Sequence, residues 1–374
     1  MKENPTGANA AFITGISINF IEAFLFWQMD KLTQIGIPVW GVTTGLVGAY
    51  VMLHLYRVKV AERRGSPNLL VILCAFSILL PFAALQTSKK PSAAIVFVRE
   101  DSEHKNSDII RARLNLETFS WTEENLTDAG ANYYYPRLNP QRNLLSTHVY
   151  PADALAGDGC ARLVFFPLSQ EGKQASIDVE TGLRSVKFAS WSNDGSRVVF
   201  AGEQGGTWNL YISHFEQDEP LPRTDSPCQL TSSAADDIFP SWSPDDKRIA
   251  FVRAKDDDRE IYVIAPDGSN LSQLTSSSGW DWHPAWSPDS QTIAFTSERT
   301  GSRQVFFMNS DGKNERQITY IGSNMEPQWS PDGKYIVFSS DRDDNWEIFI
   351  MDADGGNQRR LTNNPLQDFN PYWR

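Results

Sequence analysis

Apolar residues are distributed in two ways along the chain. Up to about residue 90 they form long runs, "AFITGISINFIEAFLFWQM" (Ala11 to Met29), "IGIPVWGVTTGLVGAYVMLHLY" (Ile35 to Tyr56) and "LLVILCAFSILLPFAAL" (Leu69 to Leu85). Beyond that they come in short stretches between polar turns, such as "RIAF" (248–251), "EIYVI" (260–264) and "EIFIM" (347–351). A helix needs about 20 apolar residues to cross a bilayer, with a range near 17–25. The second and third runs meet that length, and the first carries Asn19 and Glu22. The pattern predicts two or three membrane-anchoring helices at about 11–29, 35–56 and 69–86 within residues 1–90, with lipid as their partner. Glu22 is expected to face another helix or lie near an interface; an ionisable residue in a span is otherwise functional. Arg57, Lys59, Arg63 and Arg64 crowd the loop between the second and third runs, and short positive loops stay cytoplasmic. The third helix then runs outward. Everything past Lys90 is expected on the extracytoplasmic side, periplasmic or extracellular, of a multi-pass cell-membrane protein.

The short stretches recur. Trp191, Trp242, Trp286, Trp329 and Trp373 stand 51, 44, 43 and 44 residues apart. The first four are followed by "SNDG", "SPDD", "SPDS" or "SPDG", turns rich in residues that accept tight backbone angles. A Phe nine residues after each of those four, Phe200, Phe251, Phe295 and Phe338, closes an apolar strand. Asp-Gly turns follow in three units at Asp267, Asp311 and Asp354, a strong hairpin signal. Four units end on "QLT", "QLT", "QIT" or "RLT". Four strands on a period near 44 predict the blade of a propeller. Register extends it upstream. Leu138 lies 11 residues after Thr127, the spacing that separates Thr231 from Trp242 and Thr362 from Trp373, so Leu138 fills a degenerate anchor position. "AIVFVRE", "DIIRARL" and "FSWTEENLT" supply three strands of a first blade that lacks its innermost one. The terminal "NPYW" is the expected missing strand. The predicted fold for 93–374 is an all-β six-bladed propeller, with the C-terminal strand closing the first blade and an α-helical transmembrane region before it. Closure removes a sheet edge that would invite aggregation. The structural anchors are Leu138, Trp191, Trp242, Trp286, Trp329 and Trp373.

From Pro240 to Thr362 the letters "P-x-W-S-P-D-G…I-x-F…I-Y…D-G…L-T" appear almost intact. They resemble the TolB-type β-propeller repeat. The resemblance covers roughly 280 residues, strongly in the last half. It implies a bacterial envelope protein whose partner meets the mouth of the propeller channel. TolB itself is soluble and carries an α/β domain before its propeller. Membrane helices take that place here, which separates this chain from a role in the Tol–Pal system. TolB-type blades also precede the hydrolase domain of prolyl-oligopeptidase-like peptidases; no such domain follows in this sequence.

Charge and candidate chemistry narrow the picture further. The 374 residues carry a formal net charge of −12, which argues against nucleic acid, whose phosphates need a basic surface. Three Cys without a C-x-x-C signal neither a disulfide framework nor a zinc site. Cys160 and Cys228 could pair in an oxidising compartment. The 12 Trp supply large aromatic surface, and an exposed one outside the repeat register, such as Trp280, Trp282 or Trp346, could stack on a sugar or pack at the rim. Five residues before four anchors stand Asp237, Asp281, Asn324 and Asp368. Equivalent positions of successive blades converge on the channel, so these four are the candidate ligand-binding residues at its mouth, for a basic peptide or a Ca²⁺ ion. The repeat would also enforce such residues as local caps of their own loops, the reading favoured on sequence. "DRDDNWE" (341–347) begins like a calcium loop but has Trp346 where Gly is required. No G-x-S-x-G, H-E-x-x-H or phosphate-binding loop is present, so no catalytic residue and no cofactor is assigned. None of His54, His104, His148, His214 and His283 has a metal-spaced partner. The expected function is a non-catalytic module that binds an envelope protein or glycan. Two alternatives stay open: a propeller enzyme, either polysaccharide lyase or peptidase-like hydrolase, and a sensor or transport accessory protein.

Overall fold

A computed structural model describes residues 93–374, apart from 102–105, 117, 128–130, 142, 152–159, 170–171, 174–176, 179–180, 216–225 and 374. The three apolar runs, Glu22 and Cys74 lie outside the described residues. Among the described residues no helix is long and apolar enough to cross a membrane. Pro91–Arg374 forms one compact unit.

That unit is built from antiparallel strands. Four sheets have four strands each, as in Asp236–Trp242, Ile249–Lys255, Asp258–Ile264 and Ser272–Gln273. The "SPD" turn joins the first two strands by a repeated device. The Ser hydroxyl donates to the Asp two residues on, at 2.6 Å in Ser192–Asp194 and Ser243–Asp245, 2.5 Å in Ser287–Asp289 and 2.7 Å in Ser330–Asp332. The same hydroxyl accepts the backbone N–H of Arg197, Arg248, Thr292 or Tyr335. At Asp289 the Ser287 hydroxyl holds the carboxyl below its ordinary range; at Asp194, Asp245 and Asp332 burial pulls the other way and the Ser and backbone donors overcome it.

The Asp-Gly turns need their glycines for two reasons. Gly312 and Gly355 have φ of +81° and +96°, and an added Cβ would lie 2.7 Å from the Leu274 carbonyl oxygen or 2.6 Å from Ile318 Cγ2, atoms of the preceding repeat. The "L-T" ending is explained by Thr Oγ1. It accepts the N–H of Leu210, Ile261, Val305 or Ile348 from Thr231, Thr275, Thr319 or Thr362, pinning the outer strand to the third one.

The first strands differ from expectation in one respect. A nine-stranded sheet stands where two separate units were predicted. In the backbone ladder its two halves are joined by a single parallel bridge, Ser107 to Asn132, backed by the Ser107 hydroxyl donating to the Tyr133 carbonyl. The C-terminal strand Gln367–Trp373 pairs antiparallel with Ala93–Glu100, with Ile95 opposite Trp373 and Arg99 opposite Asp368. The innermost strands Ala131–Leu138, Ser185–Trp191, Asp236–Trp242, Asp281–Trp286, Asn324–Trp329 and Gln367–Trp373 contact one another in a closed cycle.

The core lies between sheets rather than inside one. Ala250, Ile261 and Val263 of one repeat pack on Trp286, Ile293, Phe295 and Phe306 of the next. Val337, Ile348 and Ile350 meet Ile95, Phe97, Leu114 and Trp373 in the same way. Leu138 occupies the anchor place against Val96, Ile109 and Leu145. The other anchors are buried, except Trp329, which is half-buried against Phe307. Cys160 and Cys228 are not joined in a disulfide.

Candidate functional site: a cup along the strand cycle

Every innermost strand carries a β-bulge between the fourth and first residues before its anchor. The third residue before the anchor has positive φ in all six: Tyr135, Phe188, Phe239, His283, Glu326 and Asn370, at 49° to 60°. Non-glycine residues visit that region rarely and at a cost of about 1–3 kcal/mol, which the surrounding ladder must sustain. Five of the six are followed by Pro (136, 240, 284, 327 and 371), which has no N–H to leave unpaired at the bulge.

These six line one cavity of about 370 Å³. Their side chains divide by chemistry. Phe188 and Phe239 lie with ring centroids 3.9 Å apart, and Phe239 and His283 4.4 Å apart. Tyr135 packs edge-on to Phe188 at 5.0 Å, and its Oη is 3.2 Å from His283 Nε2, joining two strands that are not neighbours in the cycle. Opposite this aromatic arc, Glu326 accepts from Ser339 Oγ at 2.9 Å, from the Asn370 N–H at 2.7 Å and from Asn370 Nδ2. Asn370 Oδ1 accepts the Tyr135 N–H at 3.3 Å. The bulge residues therefore interlock into a floor. Above it the wall is made by Arg137, Ser190, Ser241, Gln328 and Tyr372, the residues just before the anchors, and by the anchor turns at Asn193, Pro244, Pro288 and Pro331.

Burial governs the titratable groups here. It lowers His283 and the neighbouring His148 to about 3, with nearby Arg137 adding to the effect, so both imidazoles are neutral at physiological pH. Burial raises Glu326, against the pull of its hydrogen-bond donors and Arg137, and raises Tyr135 well above the usual phenol range.

The four residues expected at the channel mouth stand elsewhere. Asp237, Asp281, Asn324 and Asp368 are all fully buried, and none lines the cup. Each is taken by an arginine of its own sheet. Arg253 grips Asp237 through Nε and Nη2 at 2.7 and 2.9 Å, and Arg99 grips Asp368 at 2.8 and 2.9 Å. Arg299 Nη2 reaches Asp281 at 2.8 Å, and Arg342 Nη2 reaches Asn324 at 2.7 Å. Their spacing reflects a repeated internal clamp between the first strand and the second strand or the turn after it. Among the described residues no group of three or more His, Cys, Asp or Glu is placed to hold a metal ion. Trp280 and Trp282 enclose Arg259, whose guanidinium carbon is 3.9 and 4.6 Å from their ring centroids.

One clamp is short of positive charge. Glu260 stands beside Asp281, where the next repeat has Gln304 and Asn324 joined by a 3.0 Å hydrogen bond and the last has Arg360 beside Glu347. Burial, with Asp281 adding to it, pushes Glu260 up to about 7. A carboxyl raised from 4.5 binds more protons folded than unfolded, so stability contributed by its protonated form is lost as pH rises from about 4.5 through about 7. Glu260→Gln should therefore raise stability at pH 8 by about 1–3 kcal/mol and change little at pH 5. Melting curves at the two pH values check this; equal shifts at both would sink it.

The sequence reading missed the bulge residues, although its own anchor words display them. "FASW", "FPSW", "HPAW", "EPQW" and "NPYW" begin with Phe188, Phe239, His283, Glu326 and Asn370. The near-constant Pro after them was the available signal of a bulge.

Repeat and closed strand cycle together define a β-propeller, and residues 223–373 match the family model of the TolB beta propeller domain. TolB from Acinetobacter baumannii is similar to this chain in fold, with a TM-score of 0.60 at 17% identity over 75% of this chain and 66% of that one. The chain thus spans 66% of that relative's length. A structure of TolB from Agrobacterium tumefaciens gives 0.54 at 22% identity over 72% and 89%. A chain of a nidogen/laminin complex gives 0.57 at 10% identity over 75% and 98%. At these identities the likeness shows the fold alone. No curated protein matches the chain.

Proposed function

We propose that this chain is a membrane-anchored, extracytoplasmic propeller of six blades, whose cup docks part of an envelope protein without chemistry of its own. The observation that carries this is the floor of six positive-φ residues, a strained device repeated at one position and aimed at one cavity. The membrane anchor rests on the apolar runs before residue 90 and on Arg57, Lys59, Arg63 and Arg64. TolB-type propellers support a protein partner, with an envelope glycan as the other outcome of the same capture.

The test uses the full chain in detergent, immobilised and exposed to envelope extract. Ser241→Trp should fill the cup and reduce captured partner about tenfold or more while leaving the melting curve in place. Equal capture by the filled and open forms would remove the cup from the interaction.

A catalytic reading is favoured by one feature, the Tyr135–His283 contact inside a cavity that also holds Arg137 and Glu326. Turnover of a polysaccharide or peptide, abolished by Tyr135→Phe, would establish it in place of the binding reading.

A further inference from the structure

Resting on the cup as the docking site, we propose that its occupant enters with a carboxylate, carried by an Asp or Glu side chain or by the chain end of a protein partner, and received by Arg137. Arg137 is the one Lys or Arg among the lining residues, and Glu326 the one acid. Glu326 acts on Arg137 through space, but its two oxygens take their hydrogen bonds from Ser339 and Asn370 rather than from the guanidinium. The Arg137 guanidinium donates through Nη1 to the Pro136 carbonyl at 2.9 Å, and its carbon lies 4.8 Å from the Tyr372 ring centroid. Stacking on an aromatic face holds the guanidinium plane while leaving its edge donors for a planar, two-oxygen acceptor.

A second, independent observation points the same way. Trp242 is 6% exposed, forms part of the cup wall, and its indole N–H has no acceptor. The Trp329 indole is in the same state. The corresponding N–H groups of Trp191 and Trp286 are satisfied, by Ser146 Oγ at 3.0 Å and the Ser241 carbonyl at 3.1 Å. Two anchor indoles of the wall thus lack the acceptor that their counterparts have, and a buried donor is costly until an acceptor arrives. Water alone would satisfy the indoles but would not discriminate charge, and on that difference the experiment turns.

Three N-acetyl dipeptides separate the cases, titrated into the full chain in detergent and followed by ligand-observed NMR. They are Ala-Phe with a free C-terminus, Glu-Phe-amide and Ala-Phe-amide. At least one acid should bind about tenfold tighter than the neutral amide, and the stronger acid identifies the source of the carboxylate. Arg137→Gln should erase the preference and Arg137→Lys retain part of it. Should Arg137→Gln fail to fold, Gln328→Glu, which adds a carboxylate to the same wall, should lower the preference about threefold or more. Acid and amide binding alike, neither binding, or a preference that survives Arg137→Gln in a folded protein would each overturn the proposal. So would a preference unchanged in Gln328→Glu. The docking reading is tested separately. Capture that Ser241→Trp abolishes but Arg137→Gln leaves whole would remove only the carboxylate, and an acid preference with no captured partner would remove only the docking.

Discussion

Deleting Gln367–Arg374 should abolish cooperative unfolding of the propeller and make the protein aggregate on heating. The lost segment is the innermost strand beside Ala93–Glu100, its ladder partner from the opposite end of the described residues. Trp373, 4% exposed, fills the cluster made by Ile95, Phe97, Val337 and Ile348, and truncating one such side chain costs about 3–5 kcal/mol. The deletion also frees Arg99 from Asp368 and bares the edge of Ala93–Glu100, whose apolar Ile95, Val96, Phe97 and Val98 would then face solvent. Domains have only about 5–15 kcal/mol of net stability to lose. Thermal melting and limited proteolysis of the full and shortened chains decide the matter. A shortened chain that melts like its parent would refute the closing role of the C-terminal strand, and with it the integrity of the cup.

The second large effect is expected at an internal clamp. Arg253→Met strands the fully buried Asp237 carboxylate, and breaking a buried pair from one side costs about 3–5 kcal/mol. That corresponds to a fall in melting temperature of roughly 10 °C for a domain of this size. Replacing both partners, as Asp237→Leu with Arg253→Met, should restore most of the loss, because the penalty is an unpaired charge rather than a missing attraction. The double variant should still capture the cup's partner, since neither residue lines the cavity. A double variant as unstable as the single would show that the clamp fixes strand geometry in its own right. Loss of capture in a stable double variant would return Asp237 to the binding site.

Much of the architecture was legible because the repeat is written in local chemistry. A Ser that caps its own Asp, an Asp-Gly turn with positive φ at the Gly and a Thr that pins its outer strand act within a few residues or one hairpin, so they recur as letters at constant spacing. The register of Leu138 and the pairing of "NPYW" with "AIVFVRE" could be counted out from that spacing, and the observed ladder has Ile95 opposite Trp373. The fusion of the first two sheets was not countable. It hangs on one parallel bridge at Ser107, a contact that carries no periodic signature.

The site was legible only in part, for a physical reason. A sequence period says which residues are equivalent, not which way they face. Asp237, Asp281, Asn324 and Asp368 are equivalent but buried, each clamped by an arginine from the neighbouring strand or the turn after it. What determines facing is the bulge, which shifts the two-residue alternation and turns Tyr135, Phe188, Phe239, His283, Glu326 and Asn370 into the cup. The sequence by itself determined the strands, their order and the ring-closing pair, because local hydrogen bonding and alternation suffice for these. The tertiary structure alone decided what the cup contains. Glu326 has its oxygens taken by donors from other strands and Arg137 is left with spare donors, and both depend on side chains that only the closed cycle brings within reach.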